Sequence, residues 1–226
     1  MSETNYILSL ESSSDTLGIC LTGNNNILAS VNYYKKNLHD KYLADITKRI
    51  FQDLSININE LSAVAVAAGP GSFTGLRISA AFAKGLCFGT NIKFIAVPNL
   101  SAFAYNALDL AISLGKKYIY STVVSHKNII YFQKFITDGF INNEIEMTTI
   151  EDFSKSDFGD SIIVGNAANL VSSDNILFEL YRHKSEIISK YSSKLYTENI
   201  FESVDDFEPI YIQDFIPKNS TKILNI

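Results

Sequence analysis

Apolar and polar positions along this chain follow two rhythms, and each change of rhythm marks a new element. Tyr6-Ile7-Leu8-Ser9-Leu10 and Leu17-Gly18-Ile19-Cys20-Leu21 are short apolar runs separated by the polar turn Ser12-Ser13-Ser14-Asp15. A third run follows Gly23-Asn24-Asn25-Asn26, residues that tolerate positive φ. Together they predict an antiparallel meander with strands over 6–10, 16–22 and 27–33. The spacing then turns helical. Tyr42, Leu43, Ile46, Ile50 and Leu54 form one apolar stripe and predict a helix over 38–54, capped by Asn37 and with Asp40 at the positive end of its dipole. Asp45, Lys48, Arg49 and Gln52 decorate its remaining surface.

A strand over 62–68, a helix over 73–88, a short strand over 93–97 and a helix after Pro98 to about residue 114 come next. Near Lys116-Lys117 the rhythm restarts. Two strands, 118–124 and 128–136, are joined by a turn at Ser125-His126-Lys127, and a third polar-apolar strand is expected within 140–149. A short helix over 151–157, a strand over 161–165, an irregular helix over 184–197 and an extended piece or short strand at Pro209-Ile210-Tyr211-Ile212 complete the reading. A meander followed by α/β units, seen twice, predicts an α/β protein of two related lobes, 1–114 and 115–226, each with a mixed sheet flanked by helices. No glycine-serine or proline-rich linker separates them, so close packing is expected.

Composition narrows the classes. At 226 residues there is ample core, and 46% hydrophobic with 19% charged residues describes a globular chain. A net charge of −5 argues against gripping nucleic acid alone, because phosphate contacts need a basic face. The apolar run around the second helix is broken by Arg77 and Lys84, so no segment reaches the ~20 residues needed to span a bilayer. Acids at Glu3, Glu11 and Asp15 are unlike a secretory signal, and a cytoplasmic location is expected. Cys20 and Cys87 both sit in apolar segments and read as buried thiols rather than a disulfide or metal site.

The turn Gly69-Pro70-Gly71-Ser72-Phe73-Thr74-Gly75-Leu76-Arg77 joins a buried strand to a helix, a junction that holds an anion or simply makes a tight corner. A Walker loop needs a lysine after its last glycine, and Leu76 stands there. A dinucleotide fingerprint needs a third glycine where Thr74 stands, and an acid at the end of the next strand, which is Val97-Pro98. What remains is a corner with Ser72 as helix cap and Arg77 as a surface or inter-lobe salt-bridge partner. The helix beyond it is apolar on two sides. Leu76, Ala80, Ala83 and Cys87 fall on one, Ile78, Phe82, Gly85 and Leu86 on another, with only Arg77 and Lys84 as a polar stripe. One face must meet the sheet and the other the 38–54 helix, a second chain, or both.

Candidates for chemistry are few. His39, His126 and His183 are the only histidines, and none pairs at i, i+4 with another ligand-type residue. No Gly-x-Ser-x-Gly elbow occurs, and the cysteines lack a local base. Glu11 reads as a turn residue capping neighbouring N–H groups, with orientation of a metal-bound water as the alternative. His39 reads as structural rather than as a general base.

The nonapeptide 69–77 closely resembles the signature of the bacterial TsaB (YeaZ) family, and the three-strand start, the His39-bearing helix and Pro209-Ile210-Tyr211-Ile212 fall in family-like order. The resemblance implies an actin-like (sugar kinase/Hsp70/actin) fold. It also implies a non-catalytic subunit that binds and activates the TsaD transferase in forming N6-threonylcarbamoyladenosine beside the tRNA anticodon. A TsaE ATPase in the larger complex, self-association when alone, and tRNA contact only through the complex are implied as well. Tyr42, Leu43, Ile46, Ile50, Leu76, Ala80, Ala83 and Cys87 are the residues expected at the partner interface. ATP and metal are expected in the partner subunits, with no cofactor, metal or catalytic residue in this chain. The catalytic relative carries a His-x-x-x-His metal pair where this chain has Asn99 and Phe103, and an amide and a phenyl ring cannot replace two imidazoles. Glu11-Ser12, Val124-Ser125-His126, Gly165-Asn166-Ala167 and Gln213 also depart from the family pattern, which points to weak or absent nucleotide binding. A self-standing actin-like ATPase or phosphotransferase is the alternative, and a metallopeptidase-like hydrolase a third.

Overall fold

The computed structural model describes residues 4–170, 182–210 and 212. Three strands, β1 (Tyr6–Glu11), β2 (Thr16–Gly23) and β3 (Asn26–Tyr34), form the expected antiparallel meander, with Leu8 opposite Leu21 and Ile19 opposite Val31. On its other side β1 pairs in parallel with β4 (Leu61–Gly69), and β4 with β5 (Lys93–Pro98), giving the order β3-β2-β1-β4-β5. A strand flanked by parallel neighbours is covered on both faces, which is why β4 reads as a continuous run of alanine and valine. Its pleat sends Val64, Val66 and Ala68 to one core and Ala63, Ala65 and Ala67 to another.

Helices α1 (His39–Leu54) and α2 (Phe73–Cys87) cover the first of these faces. The cap of α1 differs from expectation. Leu38 holds the capping position without a side-chain hydrogen bond, while Asn37 adopts φ 60° and turns the chain into the helix. Its amide is used for the left-handed conformation that asparagine tolerates, not for capping.

The second sheet repeats the plan. β6 (Tyr118–His126) and β7 (Ile129–Ile136) are antiparallel, and β10 (Ser161–Gly165) joins β6 in parallel. The single strand expected within 140–149 divides into β8 (Ile141–Asn142) and β9 (Glu146–Thr149), both paired with β7. Gly139 and Phe140, at φ 72° and 50°, turn the chain just before β8, and only two residues pair before it leaves the sheet. Helix α4 (Ile150–Ser154), capped by Thr149, is shorter than expected, whereas α5 (Ser185–Thr197) is a regular helix rather than an irregular one.

The two halves exchange helices. α3 (Asn99–Ser113), from the first half, packs on β6 and β10, and α5, from the second, packs on β1 and β2. One continuous core therefore lies between the sheets, built from Ile7, Ile95 and Val97 on one side, Ile119, Val123 and Ile162 on the other, and α3 and α5 between them. After α5 the chain returns to the first sheet. The Phe207 ring packs at a tilt on Phe94, centroids 4.8 Å apart, and the Ile210 N–H donates to Ala68 O at 2.7 Å. Pro209, Ile210 and Ile212 belong to no strand, and Tyr211 and Gln213 lie outside the described residues.

Candidate functional site

The corner at 69–77 is clasped from two sides. Gly69 has φ 102°, and the Gly69–Pro70 peptide is cis. The turn between β1 and β2 lies directly on the corner: Ser72 N–H donates to Ser13 O at 2.7 Å, and Ser12 Oγ to Gly75 O at 2.8 Å. A Cβ at Gly71 would sit 2.3 Å from Ser13 O, and one at Gly75 would sit 1.9 Å from Ser12 O. These two glycines are glycine because another stretch of backbone occupies the space a side chain would take. From below, Asn99 Nδ2 donates to the buried Pro70 carbonyl at 2.9 Å. Ser72 caps α2 by accepting from Gly75 N–H, as expected. Carbonyl oxygens of Ser13 and Ser12 thus lie against Gly71 and Gly75 of this corner. Phe73 and Thr74 are exposed, and the Arg77 guanidinium lies 4.0 Å from the centre of the Phe73 ring.

The departures noted in the sequence converge in space. Between the lobes a cleft of about 750 Å³ is lined by Ser13, Thr16 and Gly71 from one side and Val124, Ser125 and Asn166 from the other. Asn166 Oδ1 accepts from Val124 N–H at 2.8 Å, so its amide ties β10 to β6. Gly165, at φ 95°, is held against Thr122 O, which a Cβ would approach to 1.9 Å.

Glu11, buried beneath Ser13, acts as the turn residue the sequence suggests: its Oε1 accepts from both Ser13 N–H and Ser13 Oγ at 2.6 Å. His183 completes this cluster, its Nδ1 being 3.0 Å from Ser13 Oγ and 3.5 Å from Glu11 Oε1. Sequence reading missed it. A contact spanning 170 residues leaves no local signal. The trio is not a hydrolytic triad, because the serine proton is committed to the carboxylate instead of to the imidazole. His39 Nε2 donates to Thr16 O at 2.9 Å and is structural, and His126 lies beside Ser125 Oγ at the surface. Among the described residues no group of three or more His, Cys, Asp or Glu side chains is placed to hold a metal ion. Both cysteines are free and buried, and burial pushes each thiol up to about 11.

The eight expected interface residues divide sharply. Leu76, Ala80, Ala83 and Cys87 are 1%, 6%, 0% and 4% exposed and are spent within the chain's own core. Leu43 and Ile50 face, from α1, the core that holds Ala80, Ala83 and Cys87, while Leu76 belongs to the core between the sheets. These six are corrected: a side chain closed inside its own lobe has no surface to offer a partner. Ile46 is half-buried and Tyr42 exposed. The other apolar side of α2, Ile78, Phe82 and Leu86, is only half covered. Phe82 and Leu86, with Phe51, Ile56 and Ile58, border an open groove of about 550 Å³ between α1 and α2.

Comparison with known proteins bears on this arrangement. The family model for TsaD, tRNA N6-adenosine threonylcarbamoyltransferase, matches residues 26–133. The chain is 26% identical over 132 residues to the tRNA threonylcarbamoyladenosine biosynthesis protein TsaB of Haemophilus influenzae, covering 58% of this chain and 54% of that protein. It is 28% identical over 183 residues to the TsaB of Buchnera aphidicola subsp. Acyrthosiphon pisum, covering 77% and 80%. The solved structure of YeaZ from Pseudomonas aeruginosa superposes with a TM-score of 0.76 at 17% identity, over 92% of this chain and 100% of that one, and establishes the fold. Two mixed sheets flanked by helices in this order make an actin-like fold, and in sequence and fold the chain is similar to the TsaB (YeaZ) proteins.

Proposed function

We propose that this chain is a non-catalytic subunit that docks on a TsaD transferase and supports N6-threonylcarbamoyl transfer to the adenosine beside the tRNA anticodon. The observation that carries the reading is α2. Its inner face is committed to the chain's own sheet, and its outer face is apolar, half covered and grooved against α1. A partner helix laid along Phe82 and Leu86 would complete the burial that this chain leaves undone. Only Lys48 brings charge to the groove lining, so burying it carries little desolvation cost.

The positions where the transferase relative carries its metal pair speak for a subunit without chemistry of its own. The Asn99 amide is engaged with Pro70 O, and the Phe103 ring packs edge-on against His183 at 4.8 Å. In this reading tRNA, ATP and metal are handled by TsaD and TsaE in the cytoplasm, which suits a chain of net charge −5. The test is reconstitution with the cognate TsaD. Modification of tRNA by the mixture, with this chain inert by itself, supports the reading, and transfer by this chain alone overturns it.

A further inference from the structure

We infer that residues 182–186 are a latch that fastens the start of α5 to β3 and to the turn clasping α2, so that the second half of the chain steadies the corner at 69–77. Ser30, Asn32 and Tyr34 are alternate residues of β3 and share one face of that strand. Each meets one step of the latch. The Arg182 guanidinium lies 5.3 Å from the centre of the Tyr34 ring. Ser185 N–H donates to Asn32 Oδ1 at 2.9 Å, and Ser185 Oγ to the same atom at 3.1 Å. Glu186 accepts from Ser30 Oγ at 2.6 Å and from Asn32 Nδ2 at 2.8 Å.

Asn32 stands in for a helix cap. Lys184, at the capping position of α5, makes no side-chain hydrogen bond to the helix, and the Ser185 N–H is satisfied instead from a strand 153 residues away in sequence. Gly18, opposite Asn32 on β2, leaves room for this: a Cβ there would lie 2.5 Å from Asn32 Oδ1 and 3.0 Å from Ser185 N. Between the contacts of Arg182 and Ser185, His183 is buried with its Nδ1 3.0 Å from Ser13 Oγ. Ser13 O in turn accepts from Ser72 N–H, and Ser12 Oγ donates to Gly75 O. Hydrogen bonds are directional, so a latch released from β3 frees His183 and, with it, the turn that holds the start of α2. For a chain that docks through α2, as proposed above, the latch makes the docking helix answer to the second half.

The test is amide hydrogen exchange on the full chain, which needs no partner and so stands apart from the docking reading. In Asn32→Leu the Ser185 amide should exchange at least about 5-fold faster than in the parent, the factor that one lost helix cap corresponds to. The Ser72 amide, bonded to Ser13 and not to Asn32, should quicken as well, while amides in the middle of α1 keep the parent's rates. Ser30→Ala, at an exposed position, removes one contact of the latch and should give the same pattern at smaller size; it decides the matter if Asn32→Leu fails to fold. An unchanged Ser185 rate overturns the cap. A Ser72 rate equal to the parent's in a folded variant whose Ser185 amide has quickened overturns the coupling, and so does equal acceleration throughout α1, which would mean general destabilisation.

Discussion

Two glycines of α2 make the same substitution carry opposite signs. In Gly75→Ala the new Cβ would lie 1.9 Å from Ser12 O, a backbone atom that cannot swing aside. Helix propensity favours alanine by about 1 kcal/mol. Against that, overpacking costs about 1–3 kcal/mol, and forcing Ser12 away from the helix removes its hydrogen bond to Gly75 O and disturbs the Ser72 cap, each worth about 1 kcal/mol. The net is a destabilisation of about 2–4 kcal/mol, or roughly 4–16 °C in Tm for a chain of this size. Gly85 lies ten residues further along the same helix, with nothing within 4 Å of an added Cβ. There the propensity stands alone, and Gly85→Ala should stabilise by about 0.5–1 kcal/mol. Urea unfolding followed by circular dichroism, fitted for midpoint and slope, measures both variants against the parent. If Gly75→Ala matches the parent or exceeds it in stability, the account of why the motif carries glycine is wrong. If Gly85→Ala destabilises, the outer face of α2 is already covered.

Ala83→Glu should lose at least about 3 kcal/mol and unfold the chain instead of merely blocking assembly, because it buries an unpaired charge against the sheet; thermal melts of the isolated chain decide. Cys20 and Cys87, with thiols raised to about 11 by burial, should resist alkylation at pH 8 in the native chain and react quickly in denaturant. The same shift means that their contribution to stability is complete below the ordinary thiol value of 9.0 and is lost as pH rises toward 11. Burial pushes the Glu186 carboxyl up, but hydrogen bonds led by that from Ser30 and including Asn32 outweigh it and hold it below the usual glutamate value. Its stabilisation is therefore present above the usual glutamate range and lost as pH falls through the lowered value. Glu186→Gln should flatten the acid limb of a stability profile relative to the parent.

Much of the first half was legible because its elements carry strong patterns: short apolar runs in β1 and β2, small apolar residues in β4, and the stripe of α1. The corner at 69–77 could be told from a Walker loop and a dinucleotide fingerprint by its missing lysine and third glycine. Its reason for being glycine was not legible, since Ser12 and Ser13 lie some sixty residues away in sequence. Periodicity also could not assign the faces of α2. Leu76, Ala80 and Ala83 look as suitable for a partner as Ile78, Phe82 and Leu86 do, and only packing against β4 separates them. The exchange of α3 and α5 between the sheets, and the meeting of Glu11, Ser13 and His183, are properties of topology that no local window contains.

The central claim is that the outer face of α2, and not the face first expected, receives the partner. Phe82→Asp places a charge in the groove while leaving the inner face intact. Titration calorimetry of the cognate TsaD with the parent chain and with Phe82→Asp, both verified as folded by circular dichroism, tests this directly. The account predicts a stoichiometric complex with the parent and at least a roughly 10-fold weaker one with the variant, as expected for a central apolar contact. Equal affinity of the two folded chains would contradict it.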